Sequence, residues 1–212
     1  MVTSATEVFE GVVIAGAGPV GLTASLMLAQ AGVPVQVFEA EPALSEASRA
    51  STFHAATLEM LHQLGLADEL VARGLIADKF QYRDRRDGLI AELDLGVLAG
   101  DTRFPYRLQL NQSELTRLIV ERLGTGSGVQ IHFSSRVVTA TPDGETATVT
   151  IATPEGDRRI VAPFVIGADG AHSAVRSALG VPFEGLTYPD RYLVIATPLD
   201  LRDVIPDLAF VN

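Results

Sequence analysis

The sequence predicts an α/β fold in which a parallel strand, helix, strand unit gives way to an antiparallel meander, and three stretches predict it. V-V-I-A-G-A-G-P-V-G-L-T-A-S-L-M-L-A-Q-A-G-V-P-V-Q-V-F-E-A-E-P (12–42) reads as strand, turn, helix and strand. Residues 129–165 are strand-like throughout and are punctuated by T-P-D-G-E and T-P-E-G-D, which are hairpin turn sequences. A-P-F-V-I-G-A-D-G (162–170) is a last strand, and it runs into a helix at 172–179.

Each element has a local reason. V-V-I-A (12–15) is a continuous apolar run closed by Gly16, the pattern of a parallel strand covered on both faces. From Pro19 to Ala31, Leu22, Leu26 and Ala29 share one helical stripe, and Gly32 stops the helix. V-P-V-Q-V-F-E (33–39) alternates and is rich in valine. Helices follow at Ala55–Leu64, with Leu58, Leu61 and Leu64 at spacings of three, and at Ala67–Arg73. Residues 78–95 read as two strands around Asp87-Gly88, with R-D-R-R-D (83–87) as a solvated tip. N-Q-S-E-L-T-R-L-I-V-E-R-L (111–123) reads as a helix with Asn111 or Ser113 at its cap.

Composition limits the chemistry. A chain of 212 residues, 47% hydrophobic, is long enough for one large core or two small ones. The formal charge of −10 argues against nucleic acid or an anionic membrane as partner and favours a small molecule. With no cysteine, disulfides, zinc-thiolate sites and thiol nucleophiles are excluded. The N-terminus lacks the basic and apolar regions of a signal peptide, so a cytoplasmic chain with no membrane span is expected. The four histidines, His54, His62, His132 and His172, share no ligand spacing, and no metal site is expected.

Gly16-Ala17-Gly18-Pro19-Val20-Gly21 fits G-x-G-x-x-G in the right context, after a strand and into a helix. Gly16 serves the tight turn, Gly18 lets the backbone approach a pyrophosphate, and Gly21 lets the helix pack close to the sheet. The helix N-terminus adds free N–H groups and partial positive charge. Glu39, with Ala40 after it, stands 23 residues beyond Gly16, where a carboxylate accepts hydrogen bonds from an adenosine ribose. A dinucleotide in a Rossmann-like domain is the expectation. The antiparallel meander departs from the second strand-helix half of a nicotinamide domain.

With F-V-I-G-A-D-G-A-H-S-A-V-R (164–176) added, the sequence resembles the single-component FAD-dependent aromatic hydroxylases, the p-hydroxybenzoate hydroxylase-like flavoprotein monooxygenases. The resemblance runs from Val12 to about Val194. It joins the G-A-G-P-V-G loop and Glu39, the segment S-R-A-S-T-F-H-A-A-T-L-E-M-L with the L-x-L-x-Q-S-E-L helix start, and the D-G-x-x-S-x-V-R pattern. It implies a glutathione-reductase-type FAD-binding domain followed by the start of a substrate-domain sheet. The corresponding divisions are 8–77 for the βαβ unit and following helices, 78–110 for strands on the substrate side, 111–180 for the rest of the FAD domain, and 181–212 for an incomplete substrate domain.

The resemblance also implies roles. Asp169 and Gly170 match the pair that supports the FAD pyrophosphate region, with helix capping by Asp169 as a compatible role. Arg49 matches an arginine reaching the FAD phosphates or ribityl chain, and Gln112 a glutamine bonding the ribityl or flavin region. Arg176 would brace the motif through nearby carboxylates. His54 reads more readily as a local structural residue than as a flavin contact. Residues 78–107 and a strand from about Arg191 would wall the substrate side, with D-T-R-F-P-Y-R (101–107) as a candidate lining and Tyr106 equally readable as packing. No side chain stands out as the reactive group, as expected where a cofactor carries the chemistry. NADPH or NADH would reduce FAD, O2 would add at the flavin C4a position, and the hydroperoxide would hydroxylate a phenolic ring. The family's third flavin motif, a glycine-aspartate pair, is not found, so the expectation includes a missing C-terminal half or a homo-oligomeric partner. The alternatives are an FAD-dependent reductase or epoxidase on the same scaffold, or a non-catalytic flavin-binding module.

Overall fold

The computed structural model describes residues 6–47, 50–84, 86–191 and 197–200. In chain order the first elements are β1 (Thr6–Val8), β2 (Val12–Ala15), α1 (Pro19–Gln30), β3 (Val35–Phe38) and β4 (Thr52–Phe53). Next come α2 (Ala55–Gln63), α3 (Ala67–Arg73), β5 (Leu75–Ala77), β6 (Lys79–Asp84), β7 (Gly88–Asp94) and β8 (Arg107–Gln109). Then α4 (Gln112–Leu123), β9 (Val129–His132), β10 (Arg136–Asp143), β11 (Thr146–Thr153), β12 (Gly156–Ala162), β13 (Phe164–Gly167) and α5 (Ala174–Ala178) complete the list.

These elements form two units, one of Met1–Ala50 and Asn111–Pro182, the other of Ser51–Leu110 and Phe183–Asn212. In the first, a parallel sheet of order β13-β2-β3-β9 lies against a second sheet of order β1-β12-β11-β10. Val13, Ala15 and Phe38 fill the space between them with Val137, Val149, Ile151 and Ile160. On the opposite face α1 and α4 supply Leu22, Leu26, Leu115, Leu118 and Ile119, all buried. The α4 positions recur at three and four, as one helical face requires, and each such side chain contributes roughly 1.5–3 kcal/mol of burial.

That layering explains one departure from the sequence pattern. Val35, Gln36, Val37 and Phe38 are all buried, although their alternation suggests a half-exposed strand. β3 lies between β2 and β9 with both faces covered, so Gln36 is buried too, and its Nε2 donates to Glu7 Oε1 at 3.2 Å. β1, unforeseen in the sequence, pairs in parallel with β12.

The second unit contains a three-stranded antiparallel sheet of order β4-β8-β5 and the β6-β7 hairpin. Because β8 pairs with both β4 and β5, residues 51–77 group with 78–110 instead of with the βαβ unit, and the boundary falls at Ala50. The hairpin tip behaves as a turn: Asp84 Oδ1 accepts from the N–H groups of Arg86 and Asp87. His54 precedes α2 with no capping hydrogen bond from its side chain. Tyr106 makes an edge-on ring contact with Phe104, and burial raises its pKa. The strand expected beyond Arg191 lies mostly outside the described residues.

Candidate functional site: a nucleotide cradle

The site is built at the carboxyl ends of β2, β3 and β13, where open α/β sheets hold ligands. Gly16 leaves β2 with φ +99°, a conformation that disfavours a side chain, and its N–H donates to Phe38 O at 2.8 Å. A Cβ there would stand 2.5 Å from Ala168 O, so the loop at 16–21 and the loop after β13 touch. Gly21 is equally constrained, because its Cβ would lie 2.0 Å from Gly16 O. Gly18 differs. It adopts φ −73° and ψ 179°, ordinary extended backbone, and a Cβ would meet nothing within 4 Å. The fold therefore explains the first and third glycines, and the open space at the second is where a ligand backbone can approach.

α1 begins with Pro19 at its first position, has no side-chain cap and has no acid in its first turn. Its N-terminal N–H groups and positive dipole end are left to an anion. Val20 is exposed. Glu39 closes the loop from the neighbouring strand: one carboxylate oxygen accepts from Ala17 N at 2.7 Å, the other from Glu41 N at 3.0 Å. Each oxygen keeps a lone pair, so the group can still accept from a sugar hydroxyl. Ala40 follows it, half-buried.

A cavity of about 120 Å³ opens beside the loop, lined by Ala17, Gly18 and Pro19, by Ser45 and Ala47, and by Gln112, Ser113 and Thr116. Gln112 thus meets the glycine loop although they are far apart in sequence. The first turn of α4, capped by Asn111 Oδ1 on Ser113 N, faces the same space as that of α1. Among the described residues no acidic side chain lines it. The sequence reading missed Ser45, Ala47, Ser113 and Thr116; their only sequence signal was adjacency to the matched segments.

Asp169 supports the start of α5, whose N-cap is Ser173, with the Ser173 hydroxyl accepting from Arg176 N at 3.0 Å. Its carboxylate accepts from Ala174 N at 2.6 Å, from Val175 N at 3.3 Å and from the Ser173 hydroxyl, while Gly170 takes φ +78°. Asp169→Ala should therefore cost about 1–2 kcal/mol through loss of these bonds, read as a fall in Tm, with Asp169→Asn costing less. Arg176 braces the motif through Ala171 O at 2.9 Å. Arg49 lies outside the described residues. Among the described residues there is no group of three or more potential metal ligands, and no helix is long and apolar enough to cross a membrane.

Comparison with known proteins agrees with this geometry. Residues 10–212 match the family model described as FAD binding domain. The chain is 36% identical over 185 residues to para-nitrophenol 4-monooxygenase of Pseudomonas sp., covering 87% of this chain and 46% of that protein. It is 37% identical over 190 residues to 6-hydroxy-3-succinoylpyridine 3-monooxygenase of Pseudomonas putida, covering 89% and 48%. The chain spans about half the length of these relatives. A crystal structure of p-nitrophenol 4-monooxygenase from Pseudomonas putida superposes with TM-score 0.83 at 38% identity, over 86% of this chain and 46% of that one. A Diels-Alderase of pyrroindomycin biosynthesis shares the fold at TM-score 0.67 and 28% identity, over 84% and 36%. From the glycine cradle, the family match over nearly the whole chain and these relatives, the chain belongs to the FAD binding domain family of FAD-dependent aromatic hydroxylases.

Proposed function

We propose that the chain is the flavin-binding portion of an FAD-dependent monooxygenase that hydroxylates a phenolic ring with O2 and NADH or NADPH. The observation that carries the reading is the open space at Gly18 beside the uncapped start of α1, with Glu39 opposite: the fold itself does not use it, and a pyrophosphate does. When bound, FAD supplies the redox chemistry, taking electrons from the reduced nicotinamide and delivering them to O2.

The chain's own residues bind and orient. The amides of Gly18, Val20 and Gly21, with Gly16 shaping the turn and Pro19 opening α1, hold the pyrophosphate, and Glu39, with Ala40 beside it, accepts from the ribose hydroxyls. Gln112 donates or accepts along the ribityl chain from the cavity wall, and Arg49 adds positive charge to the phosphates. Asp169 and Gly170 keep the adjoining loop closed against Gly16. None of these groups transfers a proton to a substrate. A small aromatic molecule is the partner, as the names of the relatives indicate for those proteins, and a cytoplasmic location suits the demand for reduced nicotinamide.

Two measurements on the purified protein test this. Incubation with FAD and desalting should leave flavin absorbance in the wild type and none in Gly18→Val. In the full-length enzyme that carries this portion, a member of a panel of phenols, p-nitrophenol among them, should then stimulate NAD(P)H oxidation with formation of hydroxylated product. Retained flavin without that stimulation would leave FAD binding standing and sink the hydroxylase reading, an outcome the Diels-Alderase on the same scaffold makes worth checking. No retained flavin would sink both.

A further inference from the structure

A second cavity, of about 470 Å³, lies between the His132–Ser135 corner that follows β9 and the β11–β12 hairpin tip. Its size is that of a small-molecule site. Three polar groups on its wall are unspent. The Nε2 of His132 is buried and has no hydrogen-bond partner among the described residues. Arg158 commits one amino group to Glu7 Oε2 at 2.8 Å and stands over the Phe38 ring at 5.7 Å; its guanidinium makes no other hydrogen bond among the described residues. The Ser134 hydroxyl is likewise unengaged there. Of these, the buried Nε2 of His132 is the group that needs a reason, because buried polar atoms without partners are rare in folded proteins.

Ser134 also carries backbone strain, with φ +50°, the sole described residue other than glycine at positive φ. Such strain collects at ligand sites. Ser134 N donates to Glu41 O at 2.9 Å and Ser135 N to Glu39 O at 2.7 Å, so the corner is tied to the segment that follows β3. Phe133 and Pro154 supply apolar surface.

We propose that this cavity is a second binding site, for a small carboxylate with an apolar body, its carboxylate held by the free edge of Arg158 and the Ser134 hydroxyl. The planar guanidinium fork matches a carboxylate's two oxygens better than it matches a spherical anion. Burial, reinforced by Arg158 and opposed by Glu7, holds the His132 imidazole below its ordinary pKa. Glu155, exposed at the hairpin tip, is the one opposing charge on the wall among the described residues and limits affinity. The inference is independent of the flavin reading.

Benzoate titrated into the protein, followed by heteronuclear NMR of the histidine side chains, tests it. The His132 signals should shift saturably with benzoate and much less with inorganic phosphate. Glu155→Gln, on an exposed tip, should tighten benzoate by about threefold, and Arg158→Gln should weaken it by about tenfold or more. Because Arg158 also pairs with Glu7, Ser134→Gly is the cleaner variant: it relieves the positive φ and removes the hydroxyl, so Tm should rise while benzoate binding falls. An unmoved His132, or affinity unchanged in both Arg158→Gln and Ser134→Gly, would overturn the site. Phosphate binding as well as benzoate would overturn the carboxylate assignment.

Discussion

Gly18→Ala is expected to leave the Tm of the flavin-free protein nearly unchanged while weakening FAD binding by about 10- to 100-fold, or roughly 1.4–2.7 kcal/mol. The folded protein has room for the methyl group: nothing lies within 4 Å of the position, and the backbone is extended. Two small effects on stability oppose one another. Alanine is a poorer helix N-cap than glycine, and it also reduces the freedom of the unfolded chain; each effect is on the order of 0.5–1 kcal/mol. A ligand backbone drawn against the N-terminus of α1 has no such room. Thermal unfolding without flavin and a flavin fluorescence titration separate the two effects. A Tm loss that accounts for the binding loss would show that Gly18 serves the fold.

The same substitution three residues on should do the reverse. Gly21→Ala places a Cβ 2.0 Å from Gly16 O and 3.3 Å from Ile14 Cγ2. Helix propensity alone would favour alanine by about 1 kcal/mol. The overlap is with backbone of a turn that is itself pinned to Phe38 and Ala168, so neither neighbour can yield cheaply. We expect a net loss of about 2–4 kcal/mol, equivalent to a Tm lowered by roughly 5–15 °C for a chain of this size, with or without flavin. Circular dichroism melts of the two variants side by side check the contrast. A Gly21→Ala protein as stable as the wild type would mean that α1 sits farther from β2 than described.

The sequence carries this part of the site because each requirement there is local. A turn needs Gly16, a helix start needs the following residues, and the next strand ends in Glu39, all within one continuous stretch. What it does not carry depends on distant partners. β1 is three residues long, mostly exposed, and its pairing strand β12 is some 150 residues away, so no periodic pattern announces it. Gln36 reads as the solvent-facing member of an alternation until the second sheet is seen to cover it. Ser45, Ala47 and Thr116 line the cavity through small size and position, which leave no chemical signature. Gln112 emerged only through resemblance. Asp169 reads in the sequence as phosphate support with helix capping as a compatible role, and its carboxylate accepts from the first turn of α5.

The first unit is interrupted between Ala50 and Asn111, yet its two loose ends are bonded together: Gln112 N donates to Ala50 O at 3.0 Å. The segment that leaves and returns closes in the same manner, with Leu110 N on Ser51 O at 2.9 Å. Residues 51–110 therefore leave and re-enter the chain at bonded neighbouring points, as an insertion does. An insertion of that kind can vary in length and sequence while the cradle it interrupts keeps its own hydrogen bonds.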